Sequence, residues 1–354
     1  MTIPGDDNSL EHENDLYEHH RFEVDRGQES IRIDKFLSNR LEKTSRNRIQ
    51  NAMEAGCILV NGKQAKANYR IKPLDIISVV LPHPPREIEL IPENIPLDIV
   101  YEDESFMIVN KPAGMVVHPA YGNYSGTLMN AVMFHLELEE KNGAFISAKG
   151  NGDVRPGLVH RIDKDTTGLL VIAKSEQSMA SLAKQFFLKT VKRRYVALVW
   201  GSLKEDEGTI RGNIGRNLKD RKVMDVFPGG EHGKPAVTHY KVLERLGYVT
   251  LAECRLETGR THQIRVHFKS TGHPLFNDRE YGGDKILKGT TFTKYRQFVE
   301  NCFGMLPGQA LHARSLGFTH PLTGNEVFFE SPLPPSFAAL AEKWRKYGAG
   351  EKDA

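Results

Sequence analysis

One short stretch of the chain gathers side chains that could carry out chemistry. Residues 160–174 read His-Arg-Ile-Asp-Lys-Asp-Thr-Thr-Gly-Leu-Leu-Val-Ile-Ala-Lys, so the acid Asp163 lies between the cations Arg161 and Lys164. A nearby positive charge favours the ionised form of a carboxylate, which would let Asp163 act as a nucleophile or a base at neutral pH. Asp165 is a competing carboxylate, and a charged turn without catalytic function is the alternative interpretation.

The residues around this stretch predict how it is held. Residues 168–173 form an apolar, partly β-branched run, which is typical of a buried strand. Pro156 and Gly157 indicate a loop that leads into this strand. Loops that a rigid core positions often carry catalytic residues. The pattern therefore predicts a reactive loop fixed by a core strand.

Length and charge limit the possible classes of protein. A chain of 354 residues predicts two domains, and a hydrophobic fraction of 39% is enough for a sizeable core. The formal net charge is +3, but the first 20 residues contain six acids and no Lys or Arg, which leaves about +9 on the remainder. This excess of positive charge favours a polyanionic partner.

The cysteines and the apolar runs indicate the compartment. Three widely spaced cysteines without a CxxC motif predict neither a disulfide framework nor a thiolate zinc site, and they fit a reducing environment. The N-terminus lacks the pattern of a signal peptide, and the longest apolar runs are too short to span a bilayer. We therefore expect a soluble, cytoplasmic protein that has no membrane partner.

Residues 31–82 have the composition of a basic module. They carry ten Lys or Arg against four acids, a net charge of +6. Apolar residues at helical spacing predict a helix at about 33–41, and Ser45 can cap a second helix. Short strands are predicted at 57–60 and 75–81. So many cations in so small a unit favour a nucleic-acid-binding surface over a merely solvated face.

Composition divides the chain into four segments. An acidic tail at 1–28, poor in apolar residues, is expected to be largely disordered. The basic module occupies 29–90 and ends in a stiff, proline-rich connector. A second domain at 91–346 combines many predicted strands with few helices, one of them capped by Ser175, which indicates an α+β fold with a mixed, largely antiparallel sheet. Residues 347–354 are predicted to be a C-terminal tail.

Several well-known motifs are absent from the sequence. Residues 229–235 superficially match a phosphate-binding loop, but Pro235 stands where Ser or Thr would bind magnesium. No GxGxxG follows a predicted strand, and neither HExxH nor GxSxG occurs. The sequence therefore predicts no nucleotide cofactor, no metal site and no serine-hydrolase chemistry.

The basic module resembles the S4 RNA-binding domain. The similarity depends on three short runs, Arg32-Ile33-Asp34-Lys35-Phe36-Leu37, Ser45-Arg46-Asn47-Arg48-Ile49 and Val60-Asn61-Gly62-Lys63. In that family two helices and the following loop present cations to structured RNA with little reading of base sequence. By this resemblance the RNA contacts are Arg32, Lys35, Arg46, Arg48 and Lys63.

The second domain resembles the RluA-type pseudouridine synthases. The matching motifs, in the order that the family shows, are Asn110-Lys111-Pro112-Ala113-Gly114, His160-Arg161-Ile162-Asp163 with Thr166-Thr167-Gly168, Arg193-Arg194-Tyr195, Gly259-Arg260-Thr261-His262-Gln263-Ile264-Arg265 and, more weakly, Leu311-His312-Ala313. With the S4-like module in front, the similarity is closest to RluD-type enzymes of large-subunit (23S) ribosomal RNA. The chain departs from the family at Asn277, where Gly is usual, and in an extra loop at 137–152.

The resemblance implies isomerisation of uridine to pseudouridine in RNA without a cofactor or metal. The N-glycosidic bond breaks, the uracil turns in the pocket, and C5 is joined to C1′. Asp163 matches the catalytic aspartate of the family, and Arg265 is expected to pair with it. Tyr195 matches a tyrosine that stacks on the target base and helps move the C5 proton, its alternative being a plain core tyrosine. Whether Asp163 attacks C1′, attacks C6 or removes a ribose proton stays open.

Other residues are expected to bind the RNA. The target base must leave its stack, and by resemblance Arg161 fills the vacated space with its planar guanidinium group. Lys111 and Arg260 are predicted phosphate contacts, as are the two arginines before Tyr195. His160 and His262 are expected to support their loops by hydrogen bonding. We expect RNA or an assembling ribosomal particle as the partner of a monomeric enzyme.

Two other functions are compatible with the same surface. A non-catalytic ribosome-assembly factor would use the basic module and bind RNA without reaction. A hydrolytic nucleoside glycosylase would use an aspartate at a glycosidic bond but release the free base. The joint presence of Asp163, Tyr195 and Arg265 disfavours the pure binder, since binding alone has no need of that set.

Overall fold

The computed structural model describes residues 17–41, 44, 46–54, 56–66, 68–81, 90–119, 123–140, 157–218, 220, 223–230 and 232–350. The chain divides into two compact units, Met1–Glu87 and Ile88–Ala354. The predicted proline-rich connector, the cap at Ser45 and most of the extra loop at 137–152 lie outside the described residues.

The first unit pairs two short helices with a small antiparallel sheet. Its elements are β1 (Tyr17–Glu23), α1 (Ile33–Ser38), α2 (Arg46–Glu54), β2 (Ile58–Val60), β3 (Lys63–Gln64) and β4 (Ile76–Leu81). The strand order is β1-β4-β2-β3. Phe36 and Leu37 of α1 and Met53 of α2 are buried in one apolar cluster with Ile58 and Ile77 of the strands. Because the apolar residues of both helices repeat at helical spacing, one face of each helix is buried.

The prediction of a disordered tail up to residue 28 is wrong for Tyr17–Glu23, which forms β1. This strand pairs antiparallel with β4, where Phe22 lies opposite Ile77. The Phe22 ring also contacts the Phe36 ring edge-on at a centroid distance of 6.4 Å. The composition of the segment is polar, but its backbone partner comes from far along the chain, so local composition could not show it. Residues 1–16 lie outside the described residues.

The second unit contains the remaining elements. They are β5 (Ile99–Glu102), β6 (Phe106–Lys111), α3 (Leu128–Glu140), β7 (Thr167–Ala173), α4 (Glu176–Phe187), β8 (Lys192–Trp200), β9 (Glu207–Arg216), β10 (Met224–Phe227), β11 (Lys234–Arg245), β12 (Val249–Leu256), α5 (Gln263–Ser270), α6 (Thr293–Phe303), β13 (Leu311–Thr319), β14 (Glu326–Glu330) and α7 (Pro335–Gly350).

These strands form one ten-stranded mixed sheet. The order is β10-β9-β11-β12-β8-β13-β7-β6-β5, and β14 pairs with β13. Among the described residues only β13 and β7 pair in parallel, and the other neighbours are antiparallel. The predicted α+β fold with a mixed, largely antiparallel sheet is confirmed.

One helix end was predicted correctly from the sequence and another was not. Ser175 caps α4 as predicted, since its hydroxyl accepts a hydrogen bond from the backbone N–H of Ser178 at 3.2 Å. The predicted C-terminal tail from residue 347 is wrong at its start, because α7 continues to Gly350. The Tyr347 ring stacks on Phe298 at a centroid distance of 4.5 Å, which adds a helical turn to the core.

Two simple features complete the fold. All three cysteines are free thiols. Within the described ranges, no helix is long and apolar enough to cross a membrane.

Candidate active site

The loop that carries Asp163 is fastened to the sheet on both sides. Before it, Leu158 forms an isolated β-bridge with Ile172 of β7. After it, the backbone N–H of Thr166 donates to the carbonyl of Asp163 at 3.1 Å, and β7 begins at the next residue. The bridge on one side and the chain itself on the other connect the loop to one buried strand, β7, as the sequence predicted. The Asp163 side chain is 18% exposed, and the exposed part of its carboxylate lies in the wall of a cleft.

A glycine lets β7 approach β13 closely at the base of this loop. Gly168 has a φ of 108°, and a Cβ atom there would lie 2.3 Å from the carbonyl oxygen of Ala313. Any other residue would push the two strands apart and strain the backbone. The Thr-Thr-Gly that follows Asp163 therefore sets the distance between the loop and β13.

Lys111 is a structural cation, and the prediction that it contacts RNA phosphate is wrong. Its side chain is buried at the end of β6. The ammonium Nζ donates to the carbonyl oxygens of Pro112, Met115 and Lys164 at 2.7–2.9 Å. Burial lowers the pKa of Lys111 to about 7, while the charges of Asp165 and Asp163 raise it. These three bonds tie the 112–115 turn to the loop of Asp163.

Replacing Lys111 by methionine should therefore destabilise the protein. The three carbonyls would lose their donor in a buried place, which should cost about 2–3 kcal/mol of unfolding free energy. Urea unfolding monitored by circular dichroism measures this cost. Lys164→Met, which removes an exposed ammonium from the same loop, is the matched control and should change stability by less than about 0.5 kcal/mol. Equal stability of the two variants would contradict the structural role of Lys111.

Arg265 of α5 makes the predicted contact with Asp163, at 3.2 Å from Nη1 to Oδ2. Its Nε and Nη2 atoms donate to the two carboxylate oxygens of Asp278 at 2.7 and 2.8 Å. Nη2 also donates to Glu280 at 2.5 Å. A bidentate pair fixes the plane of a guanidinium group, so Asp278 aims the remaining N–H of Arg265 at Asp163.

Arg265 remains protonated in this environment. Burial acts to lower its pKa, but the hydrogen bonds and charge of Asp278, together with the charges of Asp163 and Glu280, raise the pKa above its usual value. The Asp278 side chain is completely buried. A buried carboxylate requires a permanent partner, and Arg265 supplies it.

His262 lies near Oδ1 of Asp163, the carboxylate oxygen that Arg265 does not contact. It precedes α5 with a left-handed φ of 54°, which is uncommon for a residue with a Cβ. Nδ1 lies 2.8 Å from the Tyr281 hydroxyl, and Nε2 lies 3.9 Å from Oδ1 of Asp163. Burial lowers the pKa of His262, against the raising effect of the Asp163 charge. His262 therefore lies in contact range of the carboxylate, bonded to Tyr281 as a loop support.

Tyr195 lies on β8, between β12 and β13 in the sheet. Its side chain is almost entirely buried, yet it lines the same cleft as Asp163. Burial raises the pKa of Tyr195; the charge of Arg193 lowers it and that of Asp163 raises it. The phenol is thus protonated at neutral pH. The sequence left a core tyrosine and an active-site tyrosine as alternatives, and in the structure Tyr195 is both packed in the core and part of the cleft wall.

His160 supports its loop by a hydrogen bond and by ring stacking. Its Nε2 accepts a hydrogen bond from the backbone N–H of Val171 at 3.1 Å. Its ring stacks on Phe186 at a centroid distance of 4.5 Å. Burial and the charge of Arg193 lower the pKa of His160 to about 3, so the ring is neutral and can accept this bond.

One cleft joins these groups. Its volume of about 500 Å³ is in the range of small-ligand sites, roughly 300–1,000 Å³. Asp163, Tyr195 and Arg265 lie in its wall, and the cations on it are Arg161, Lys189, Arg193 and Arg260. The cleft therefore combines a partly exposed carboxylate with a positively charged entrance. No cluster of His, Cys, Asp or Glu that could hold a metal ion occurs in the described part of the chain.

The predicted arginines fall on different sides of the sheet. Arg161 is exposed in the cleft. The Nε of Arg260 donates to the carbonyl of Pro235 at 3.2 Å, and the rest of the Arg260 guanidinium group lies at the entrance of the cleft. Arg194 is outside the cleft and pairs with Glu253 on the neighbouring strand. Side chains alternate along a strand, so Arg194 and Tyr195 cannot serve one face together.

In the first unit, two predicted RNA contacts share one buried acid. Asp34 is completely buried in α1 and accepts hydrogen bonds from Arg32 at 3.1 Å, from Arg46 at 3.0 Å and from Gln50 at 2.9 Å. Burial raises the pKa of Asp34, but these bonds outweigh it and lower the value to about 2. One negative charge thus orients two half-exposed guanidinium groups, and net positive charge is left on the surface. Lys35 completes the cationic side of α1 as an exposed residue.

The other predicted contacts of this unit are partly described. Lys63 is exposed on β3. Arg48 lies on α2, and its side chain is outside the described residues. Composition and motif similarity did not point to Asp34 as the residue that orients two of the cations.

Two family models match the chain. The model described as S4 domain matches residues 31–77, within the first unit. The model described as RNA pseudouridylate synthase matches residues 105–270, which include Asp163, Tyr195 and Arg265. The chain is thus an RNA-binding module joined to the catalytic domain of an RNA-modifying enzyme.

Relatives are similar over most of the chain. An uncharacterised RNA pseudouridine synthase of Chlorobaculum parvum is 45% identical, with 91% of this chain and 97% of the relative covered. Ribosomal large subunit pseudouridine synthase D of Zymomonas mobilis is 42% identical, with 87% and 92% covered. The solved structure of human RNA pseudouridylate synthase domain containing 1 is 26% identical, with a TM-score of 0.51 and with 70% of this chain and 89% of that chain covered. The chain belongs to the RluA family of RNA pseudouridine synthases.

Sequence reasoning missed the acids that hold Arg265. Asp278 and Glu280 lie 13 and 15 residues after it, beyond the reach of helical spacing. Asn277 did mark the place as a departure from the family. It has a left-handed φ of 63°, which Asn tolerates, and its amide donates to the carbonyls of Phe303 and Leu306 at 3.1 and 2.9 Å. Asn277 thus keeps a turn that Gly could form, and the turn presents Asp278 to Arg265.

Proposed function

We propose that this enzyme converts specific uridines of large-subunit (23S) ribosomal RNA to pseudouridine, in the cytoplasm, with Asp163 as the catalytic carboxylate and without a cofactor. The observation that carries the proposal is the Asp163 carboxylate in a cationic cleft, paired with an arginine that two further acids hold in place. Three relatives between 41% and 42% identical bear the name ribosomal large subunit pseudouridine synthase D, which supports the choice of RNA.

The reaction is an isomerisation, so the product has the same composition as uridine, with one hydrogen exchanged with water. The bond from N1 to C1′ breaks, the uracil turns, C5 bonds to C1′, and the proton on C5 is lost while N1 gains one. Asp163 would supply the negatively charged oxygen that begins this sequence at C1′, at C6 or at the ribose proton. Tyr195, protonated and close enough to feel the charge of Asp163, would stack on the uracil and assist proton movement.

The target uridine has to leave its stack to reach Asp163, at a cost of a few kcal/mol. Arg161 is exposed in the cleft, two residues before Asp163, and would occupy the space that the base vacates. Its planar guanidinium group can stack between bases while its charge faces phosphates. Arg260, with part of its group at the entrance, would bind the backbone of the RNA.

The S4 unit would dock the RNA through its cations. Removing residues 1–87 leaves Ile88–Ala354, which keeps Leu90 in the core of the second unit. This truncation should weaken binding and lower the slope of log affinity against log salt by about 3, since each lost phosphate contact removes about 0.7–0.9. Fluorescence anisotropy at several salt concentrations measures both quantities. Lys35→Ala with Lys63→Ala in the full chain is the matched control and should lower the slope by about 1.5. An unchanged slope in the truncated protein would remove the docking role.

A tritium label at C5 of uridine distinguishes the proposal from its alternatives. The protein is incubated with C5-tritiated transcripts of large-subunit rRNA, and both water and free base are counted. Label in water without free uracil supports isomerisation. Free uracil would indicate a hydrolytic glycosylase, and bound RNA without either product would indicate a pure binding protein. Mapping of pseudouridine in rRNA from cells with and without the gene then identifies the sites.

A further inference from the structure

Phe187 is an exposed aromatic side chain in the wall of the active-site cleft. It is 84% exposed, more than any other large apolar side chain in the part of the chain that the structure describes. It lines the same cleft as Asp163 and Tyr195. We propose that Phe187 is a stacking surface for an RNA base next to the extruded uridine. This inference rests on the proposed function and names a further contact of the same site.

The end of α4 holds Phe187 in a defined position. After Phe187 the chain turns through Lys189, which has a left-handed φ of 60°. The backbone N–H of Thr190 donates to the carbonyl of Gln185 at 3.0 Å, which closes the helix end. The Gln185 side chain is bonded in turn to the backbone N–H and carbonyl of Thr319 at 2.8 and 2.7 Å. Because the backbone at this turn is already fixed, binding through the Phe187 ring has to order only the two side-chain torsions.

The cleft wall beside Phe187 already contains stacked groups. Phe186, which precedes it in α4, stacks on His160 of the loop before Asp163, and the guanidinium carbon of Arg193 lies 5.4 Å from the Phe186 ring centroid. The Nε of Arg193 is buried and has no hydrogen-bond partner among the described residues. Aromatic and guanidinium planes are the groups on which unpaired bases stack.

The charge around Phe187 identifies RNA as the occupant. Lys189, Arg193 and Arg161 line the same cleft, and Arg and Lys side chains in its lining outnumber the two acids, Asp163 and Glu257. A flanking nucleotide presents a flat base to the ring and a phosphate to these cations, whereas an apolar peptide would leave the cations without counterions. In this proposal the Phe187 ring is covered only when RNA is bound, so it is exposed in the protein alone.

Steady-state kinetics test the contact. Phe187→Ala should raise KM for a convertible rRNA transcript by about tenfold and change kcat by less than about twofold, while Phe187→Trp should retain the wild-type KM. Phe292 is the matched control, because it is 73% exposed at the start of α6 and does not line the cleft. Phe292→Ala should behave as the wild type. Equal KM values for Phe187→Ala and Phe292→Ala would overturn the proposal.

Abasic nucleotides identify the stacked base. Placed one at a time beside the target, an abasic nucleotide at one position should weaken binding to Asp163→Asn protein by about tenfold, and binding to the Asp163→Asn, Phe187→Ala double variant by no more than twofold. Additive losses at every position would overturn the contact, as would self-association of the wild type that Phe187→Ala abolishes. Anisotropy is measured with Asp163→Asn protein, so the contact is still tested if no tritium is released from any RNA and the proposed function fails.

Discussion

Asp163→Asn should lower kcat for pseudouridine formation by about 10³-fold or more, while the dissociation constant for RNA stays within about tenfold of the wild type. The amide has nearly the shape of the carboxylate and keeps the packing of the loop. It lacks the negative charge that a nucleophile or base needs, so the chemical step fails and binding through the cations continues. Single-turnover tritium release measures the first quantity, and fluorescence anisotropy measures the second.

The loop contains its own control for this prediction. Asp165→Asn removes a carboxylate two residues further on that is not among the groups lining the cleft. We expect its kcat within about threefold of the wild type, since no hydrogen bond joins it to Arg265 among the described residues. Loss of turnover in Asp165→Asn with normal turnover in Asp163→Asn would exchange the two assignments. Equal losses of turnover and binding in Asp163→Asn would argue against a purely chemical role.

Arg265→Met should lower the free energy of unfolding and abolish turnover. Removing the guanidinium group leaves the completely buried Asp278 without a counter-charge, which typically costs about 3–5 kcal/mol. For a unit of this size that corresponds to a fall in melting temperature of about 10 °C. Turnover should fall because Asp163 loses the group that orients it. Thermal unfolding and tritium release at 20 °C, where the variant is still folded, measure the two effects separately.

A second variant separates stability from catalysis. Arg265→Met combined with Asp278→Asn removes both buried charges, and should recover at least about half of the lost unfolding free energy. Turnover should stay as low as in the single variant, because Asp163 is still unsupported. If the double variant recovers both quantities, Arg265 serves only to neutralise Asp278. If it recovers neither, the loss of stability comes from packing and not from the unpaired acid.

Local patterns in the sequence were sufficient for the elements that repeat over a few residues. The apolar run after Asp163 predicted β7, Ser175 predicted the start of α4, and many predicted strands with few helices indicated an α+β fold with a largely antiparallel sheet. The basic module and the ordered motifs identified the family before any geometry was known. These signals work because helix, strand and cap preferences are decided within about one helical turn.

The sequence by itself determined the candidate aspartate, the cationic first unit and the family. Only the tertiary structure decided what holds the expected Asp163–Arg265 pair in place: Asp278 and Glu280 bind Arg265, and Lys111 reaches the carbonyl of Lys164 across 53 residues. Lysine is usually exposed, so nothing local marked Lys111 as buried, and nothing marked Tyr17–Glu23 as a strand. Such contacts depend on which distant polar groups need a partner once the sheet has formed, and that need arises only in the folded chain.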